Sequence, residues 1–117
     1  MLKVYQNRES GKTLISKEAL DMEGWVELVP GSVDAAQEKH VPVVVKKCKS
    51  VKVSVGSVAH PMSKEHLIEW VVLETERGYQ VKYFAADGVA ECAFTVADGD
   101  KAVAVYAYCN LHGLWQS

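Results

Sequence analysis

No cysteine precedes Cys48, and the chain has only three, Cys48, Cys92 and Cys109. An odd number at wide spacing makes no disulfide framework and points to a reducing compartment, where a functional cysteine acts as thiol or thiolate. Long apolar runs are also missing. Nothing approaches the roughly 18 residues of a membrane span, and the opening MLKVYQNRES lacks the apolar stretch of a secretory signal. The expectation is a cytoplasmic protein with no membrane partner. Charge of one sign is not in excess either: 13 Lys and Arg against 15 Asp and Glu leave a net charge of -2. That removes the basic footprint of a nucleic-acid binder, so no nucleic-acid partner is expected. Internal repeats and low-complexity tracts are absent, and 117 residues suffice for one domain with at most a small appendage.

Hydrophobic residues make up 49% of the chain, enough for a real core. Much of this is valine in alternation with polar or small residues, the period-two signal of half-buried strands. Val51, Val53 and Val55 share one face against Lys52, Ser54 and Gly56. Ile68, Trp70 and Val72 alternate with Glu69, Val71 and Leu73. Tyr79, Val81 and Tyr83 follow a turn at Glu76-Arg77-Gly78, and Cys92, Phe94 and Val96 precede another at Asp98-Gly99-Asp100. Val103, Val105 and Ala107 form a last strand running to Tyr108. Short strands with such turns predict an all-β antiparallel sandwich. Residues 1–32 read as a small N-terminal appendage with one strand, Trp25 to Val29. Val33 to Lys39, with Ser32 as N-cap, predicts a turn or two of helix joining the two parts.

All four histidines stand at predicted strand ends or in loops, where side chains can converge. They occur as Glu38-Lys39-His40-Val41-Pro42, His60-Pro61-Met62 and His66-Leu67-Ile68-Glu69-Trp70. The fourth lies in Cys109-Asn110-Leu111-His112-Gly113-Leu114-Trp115, where the three-residue spacing lets thiolate and imidazole meet one metal across a tight turn. Imidazoles with a single thiolate favour a redox-active transition metal over Mg or Ca, and five donors are one too many for tetrahedral zinc. Cys92, in phase with Phe94 and Val96, reads as core. Cys48 has no assigned role, and Trp70, Trp115 and Met62 read as packing around the site.

This combination, in this order, resembles the superoxide reductases, the neelaredoxin and desulfoferrodoxin family, over roughly Val33 to Trp115. The resemblance implies an immunoglobulin-like β-sandwich with one mononuclear iron per chain, cycling between Fe2+ and Fe3+. It also implies His40, His60, His66 and His112 as equatorial ligands and Cys109 as the axial one. Five protein ligands leave one octahedral position for superoxide, which is reduced by one electron to hydrogen peroxide. By the same resemblance, Lys39 attracts the anion and aids protonation, and Glu38 binds the oxidised iron. A rubredoxin-like electron donor and a homo-oligomer, dimer or tetramer, are further implications. The family's two-iron members carry an N-terminal desulforedoxin-like domain with a four-cysteine iron. Here Tyr5-Gln6-Asn7-Arg8-Glu9 stands where such a Cys-x-x-Cys belongs, so residues 1–32 resemble that domain without its metal, and residues 33–117 the iron-binding sandwich. The alternative is a non-catalytic iron-binding electron-transfer module with the same ligands.

Overall fold

A computed structural model describes all 117 residues as ten strands and one short helix. The strands are β1 (Lys3–Asn7), β2 (Thr13–Ser16), β3 (Trp25–Leu28), β4 (Pro42–Lys47), β5 (Ser50–Val55), β6 (Ile68–Thr75), β7 (Gly78–Tyr83), β8 (Glu91–Thr95), β9 (Ala102–Cys109) and β10 (Gly113–Gln116), with α1 (Gln37–His40) between β3 and β4. Every strand pairing is antiparallel. The sheets run β10-β9-β6-β7, β4-β5-β8 and β2-β1-β3.

The first two sheets face each other across the main core. Val51, Val53 and Val55 of β5 and Phe94 of β8 meet Val71 and Leu73 of β6 and Val105, Ala107 and Cys109 of β9. The antiparallel sandwich expected from the valine alternation is therefore the fold, and Cys92 packs against this core as expected. Met62 does so as well. The small third sheet covers the other side of β10-β9-β6-β7. Val4 of β1, with Leu2, Ile15 and Leu28, packs on Trp70, Val72, Tyr106, Tyr108 and Leu114. Polar contacts fix its placement: Gln6 Nε2 donates to Tyr108 Oη at 2.9 Å and Trp70 Nε1 to Thr13 Oγ1 at 3.2 Å. The buried Glu74 carboxylate accepts from the Leu2 N–H at 3.3 Å and from Tyr106 Oη at 3.0 Å. Burial, then the Glu74 contact, pushes the Tyr106 phenol up to about 12.

Four local expectations are corrected. The helix is shorter than Val33 to Lys39 and begins after Ala36, with no side-chain cap. Gly31 N–H donates to the Leu114 carbonyl, which ties the preceding chain to β10 instead. In β6 the simple alternation breaks at a bulge between Ile68 and Trp70, leaving Ile68 on the same face as Val71 and Leu73 while Trp70 and Val72 face the N-terminal sheet. With sheets on both sides, β6 is buried almost throughout. The chain does not end its strands at Tyr108 but returns as β10. Finally, β1, β2 and β4 are strands where none was expected.

Leu73 is fully buried in the main core, whereas Val45 on β4 is 58% exposed. Leu73→Ala should lower unfolding stability by about 2–5 kcal/mol, and Val45→Ala by no more than about 0.5 kcal/mol. Urea denaturation of both variants checks this contrast.

Candidate metal centre

Four backbone devices bring the predicted side chains to one end of the sandwich. His40 closes α1, where Val41 N–H bonds the Gln37 carbonyl before Pro42 opens β4. The helix lies hard against the loop after β5: the Glu38 carbonyl accepts from Val58 N–H at 2.8 Å and from Ser57 Oγ at 3.2 Å. Gly56 permits that approach, since a Cβ there would lie 2.6 Å from the Glu38 carbonyl oxygen. His60 follows on the same loop. His66 ends a turn in which Ser63 N–H donates to the His66 carbonyl at 3.0 Å and His66 N–H to Ser63 Oγ at 3.1 Å. Cys109 is the last residue of β9, paired with Ile68 of β6 on one side and Gly113 of β10 on the other. Gly113 takes φ +76°, a left-handed conformation that suits glycine, and so closes the turn carrying His112.

The four imidazoles sit at the corners of a near-square. Successive ring centroids, His40 to His60, His60 to His66, His66 to His112 and His112 to His40, are 4.6, 4.7, 5.0 and 4.9 Å apart. Adjacent rings are nearly perpendicular, and His40 and His66, on opposite corners, are 6.5 Å apart, close to the diagonal of a square with such sides. One ligand atom each from His40, His66, Cys109 and His112 fall within 4.8 Å of one another. His60 joins through Nε2, 3.1 Å from His40 Nε2. Cys109 Sγ is 3.9 Å from His112 Nδ1. All five residues singled out in the sequence thus converge.

The proton positions show what this cluster needs. His40 Nδ1 lies 2.6 Å from the Ala36 carbonyl, and His60 Nδ1 2.6 Å from the Pro61 carbonyl. Carbonyls only accept, so both Nδ1 atoms carry the proton, and in the neutral rings both Nε2 atoms are bare lone pairs. At 3.1 Å these face each other, and His40 Nε2 is also 3.1 Å from His112 Nδ1. His66 Nε2 is buried with no hydrogen-bond partner. Nor does protonation relieve the conflict: burial lowers the proton affinity of His40 and His66 and pulls His60 down to about 4. A cation answers the crowding. Two imidazole nitrogens each about 2.1 Å from one ion and at right angles stand about 3.0 Å apart, which matches the spacing here. Burial raises the Cys109 thiol, opposed by amide N–H groups of Leu111 and His112; a bound cation would draw the sulfur into its thiolate form. Four nitrogens in a square plus one sulfur do not fit tetrahedral zinc and suit iron.

Around the cluster, the Trp115 indole stacks on His40 with centroids 4.9 Å apart and donates Nε1–H to the His112 carbonyl at 3.0 Å. Trp70, expected beside the site, instead stacks on Tyr108 under the N-terminal sheet. Glu38 and Lys39 are exposed on α1 just before His40, and the Lys39 charge further depresses His40 and His66. Cys48 is exposed in the β4–β5 turn, apart from the cluster. Sequence reasoning missed Gly56 and the anchoring carbonyls of Ala36 and Pro61. Gly56 had only its identity to signal it, and a backbone carbonyl leaves no residue-type signal.

Residues 32–117 match the family model described as desulfoferrodoxin. The chain belongs to the desulfoferrodoxin family. A desulfoferrodoxin of Clostridium acetobutylicum is 38% identical over 123 residues, spanning 99% of this chain and 95% of that protein. The desulfoferrodoxin of Nitratidesulfovibrio vulgaris is 48% identical over 87 residues, 74% of this chain and 68% of its own. Among solved structures, the superoxide reductase of Treponema pallidum is similar over 100% of this chain and 98% of that one, with 38% identity and a TM-score of 0.87.

The close approach of α1 in this desulfoferrodoxin relative generates a direct test. Gly56→Ala should displace Glu38, and with it His40. It is expected to cost about 1–3 kcal/mol of stability and to lower metal occupancy while the β-sheet circular dichroism persists. Gly78→Ala, where a Cβ meets open space, should leave metal content unchanged. Metal analysis of both purified variants checks the pair.

Proposed function

We propose that this protein is a superoxide reductase that works at a single mononuclear non-haem iron. The observation that carries this reading is the near-square of four imidazoles, two of them buried, with one buried thiol beside it, in which His40 and His60 turn bare Nε2 atoms toward each other and His66 Nε2 has no protein partner. His40, His60 and His66 would bind through Nε2, His112 through Nδ1 and Cys109 through sulfur. The names of the relatives, superoxide reductase among them, support the same substrate.

A ferrous ion held there would supply the one electron that, with two protons, turns superoxide into hydrogen peroxide. The chain's own groups do the rest. Carbonyls of Ala36 and Pro61 hold His40 and His60 in one tautomer, so both rings meet the ion without reorienting. Neutral imidazoles with a single thiolate leave a ferrous site with net positive charge, favourable to an anionic substrate. Trp115 covers the His40 face and shields it from water. The Lys39 ammonium raises the local concentration of the anion and keeps a proton near the mouth for the product. The Glu38 carboxylate, beside it in sequence, is the group that would bind the oxidised iron.

The electron donor in this reading is a small rubredoxin-like protein, and the working form is a homo-oligomer, dimer or tetramer. No helix is long and apolar enough to cross a membrane, and the cytoplasm is the proposed location. We read residues 1–32 as a desulforedoxin-like unit without its metal and residues 33–117 as the iron-binding domain. In support, no cysteine precedes Cys48, and the buried Tyr5 accepts the Leu20 N–H at its hydroxyl at 2.8 Å, organising that unit without metal.

Two variants separate ligation from attraction. Cys109→Ser should abolish the sulfur-to-Fe(III) absorption band and most activity, while Lys39→Ala keeps the band but reacts more slowly with superoxide and with a flatter dependence on ionic strength. Pulse radiolysis at several salt concentrations reads both. Full activity in Cys109→Ser, or a wild-type rate and salt slope in Lys39→Ala, would contradict the roles given to these side chains.

A further inference from the structure

Two of the four imidazoles are steered by their own rings, His40 by Ala36 and His60 by Pro61. His66 has no such anchor: its Nε2 faces the cluster unpartnered, and its place is set through the backbone of the Ser63 to His66 turn. That turn is fastened to the Cys109–His112 hairpin by one residue. Asn110 Oδ1 accepts from Leu67 N–H at 3.0 Å, Asn110 Nδ2 donates to the Glu65 carbonyl at 2.9 Å, and Asn110 N–H donates to the Leu67 carbonyl at 3.3 Å.

The strand ladder explains why a side chain is needed here. Pairing of β6 with β9 ends at Ile68 and Cys109, because the next residues of β9 turn away into the hairpin that carries His112. The Asn110 amide continues the ladder beyond that point, offering a donor and an acceptor together to the two backbone groups flanking His66. The amide provides both on separate atoms: a carboxylate would leave the Glu65 carbonyl without its donor, and an apolar side chain would leave Leu67 N–H unpaired as well.

We propose that Asn110 is a positioning residue that fixes His66 against Cys109 and His112 and so holds the His66 corner of the imidazole square in place. This rests on the metal-site reading given above. Because Asn110 acts through His66, its removal should matter only while His66 is there to be positioned.

The test is a double-mutant cycle on iron-loaded protein, following iron release to excess ferrous chelator together with the visible spectrum of the oxidised form. Asn110→Ala is expected to release iron roughly ten-fold faster, the scale of one lost hydrogen bond, while keeping the Cys109 sulfur-to-iron band. Asn110→Asp, which retains the acceptor for Leu67, should fall between it and wild type. In the His66→Ala background, Asn110→Ala should change release by less than about two-fold. An undiminished effect in that background, or wild-type release from Asn110→Ala itself, would overturn the inference. Should the alanine variant fail to fold, Asn110→Asp carries the same cycle. Wild-type protein that takes up no iron would instead overturn the metal-site reading, and the role of Asn110 with it.

Discussion

The structure depends on a repulsion. The Nε2 lone pairs of the buried His40 and His60 imidazoles face each other at 3.1 Å, with a buried nitrogen of His66 left without any partner. A folded chain ordinarily pairs such groups or leaves them to water. Here the same residues whose Nε2 atoms collide have their Nδ1 atoms locked by carbonyls, which removes the tautomer that would relieve the contact. Binding energy for a cation is thereby stored in the geometry, and holding that geometry is the task of the surrounding fold.

The sandwich meets the task by anchoring donors at the ends of its best-buried strands. Cys109 and Ile68, which begins the strand after His66, are paired neighbours on β9 and β6, and both are completely buried. With a sheet packed on either side, β6 and β9 are buried along most of their length, so Cys109 and the start of β6 are held by core packing on both faces. The remaining donors come from α1 and the loop after β5, which are pressed together at Gly56. The N-terminal sheet contributes none of the five clustered residues. Its part is to cover Trp70, Tyr106 and Tyr108 and so bury the outer face of the strands that carry the chemistry.

The main architecture and the donors were legible in the sequence because each leaves a local mark. Alternating valines at positions 51, 53 and 55 fix a face of β5, and the Cys109-x-x-His112 spacing fixes a turn. What was illegible depends on the absence or excess of a single residue or on backbone alone. The β6 bulge adds one residue between Ile68 and Trp70 and reverses which sheet each faces, which no alternation pattern reveals. Trp70 moved from the site to the N-terminal layer for that reason. The short strands β1, β2 and β10 carry too few residues for a periodic signal and exist because β1 and β9 offer edges to pair with. Asn110 was visible in its motif, yet its hydrogen bonds to residues more than forty positions away could be seen only in three dimensions.

The most direct measurement is the stoichiometry of the reaction between the ferrous protein and superoxide under anaerobic conditions. Superoxide reduction at a single iron predicts one hydrogen peroxide formed and one iron oxidised for each superoxide consumed, with no dioxygen released. Dioxygen evolved in half the amount of superoxide consumed, or superoxide decaying at its spontaneous rate while the iron stays ferrous, would contradict the account.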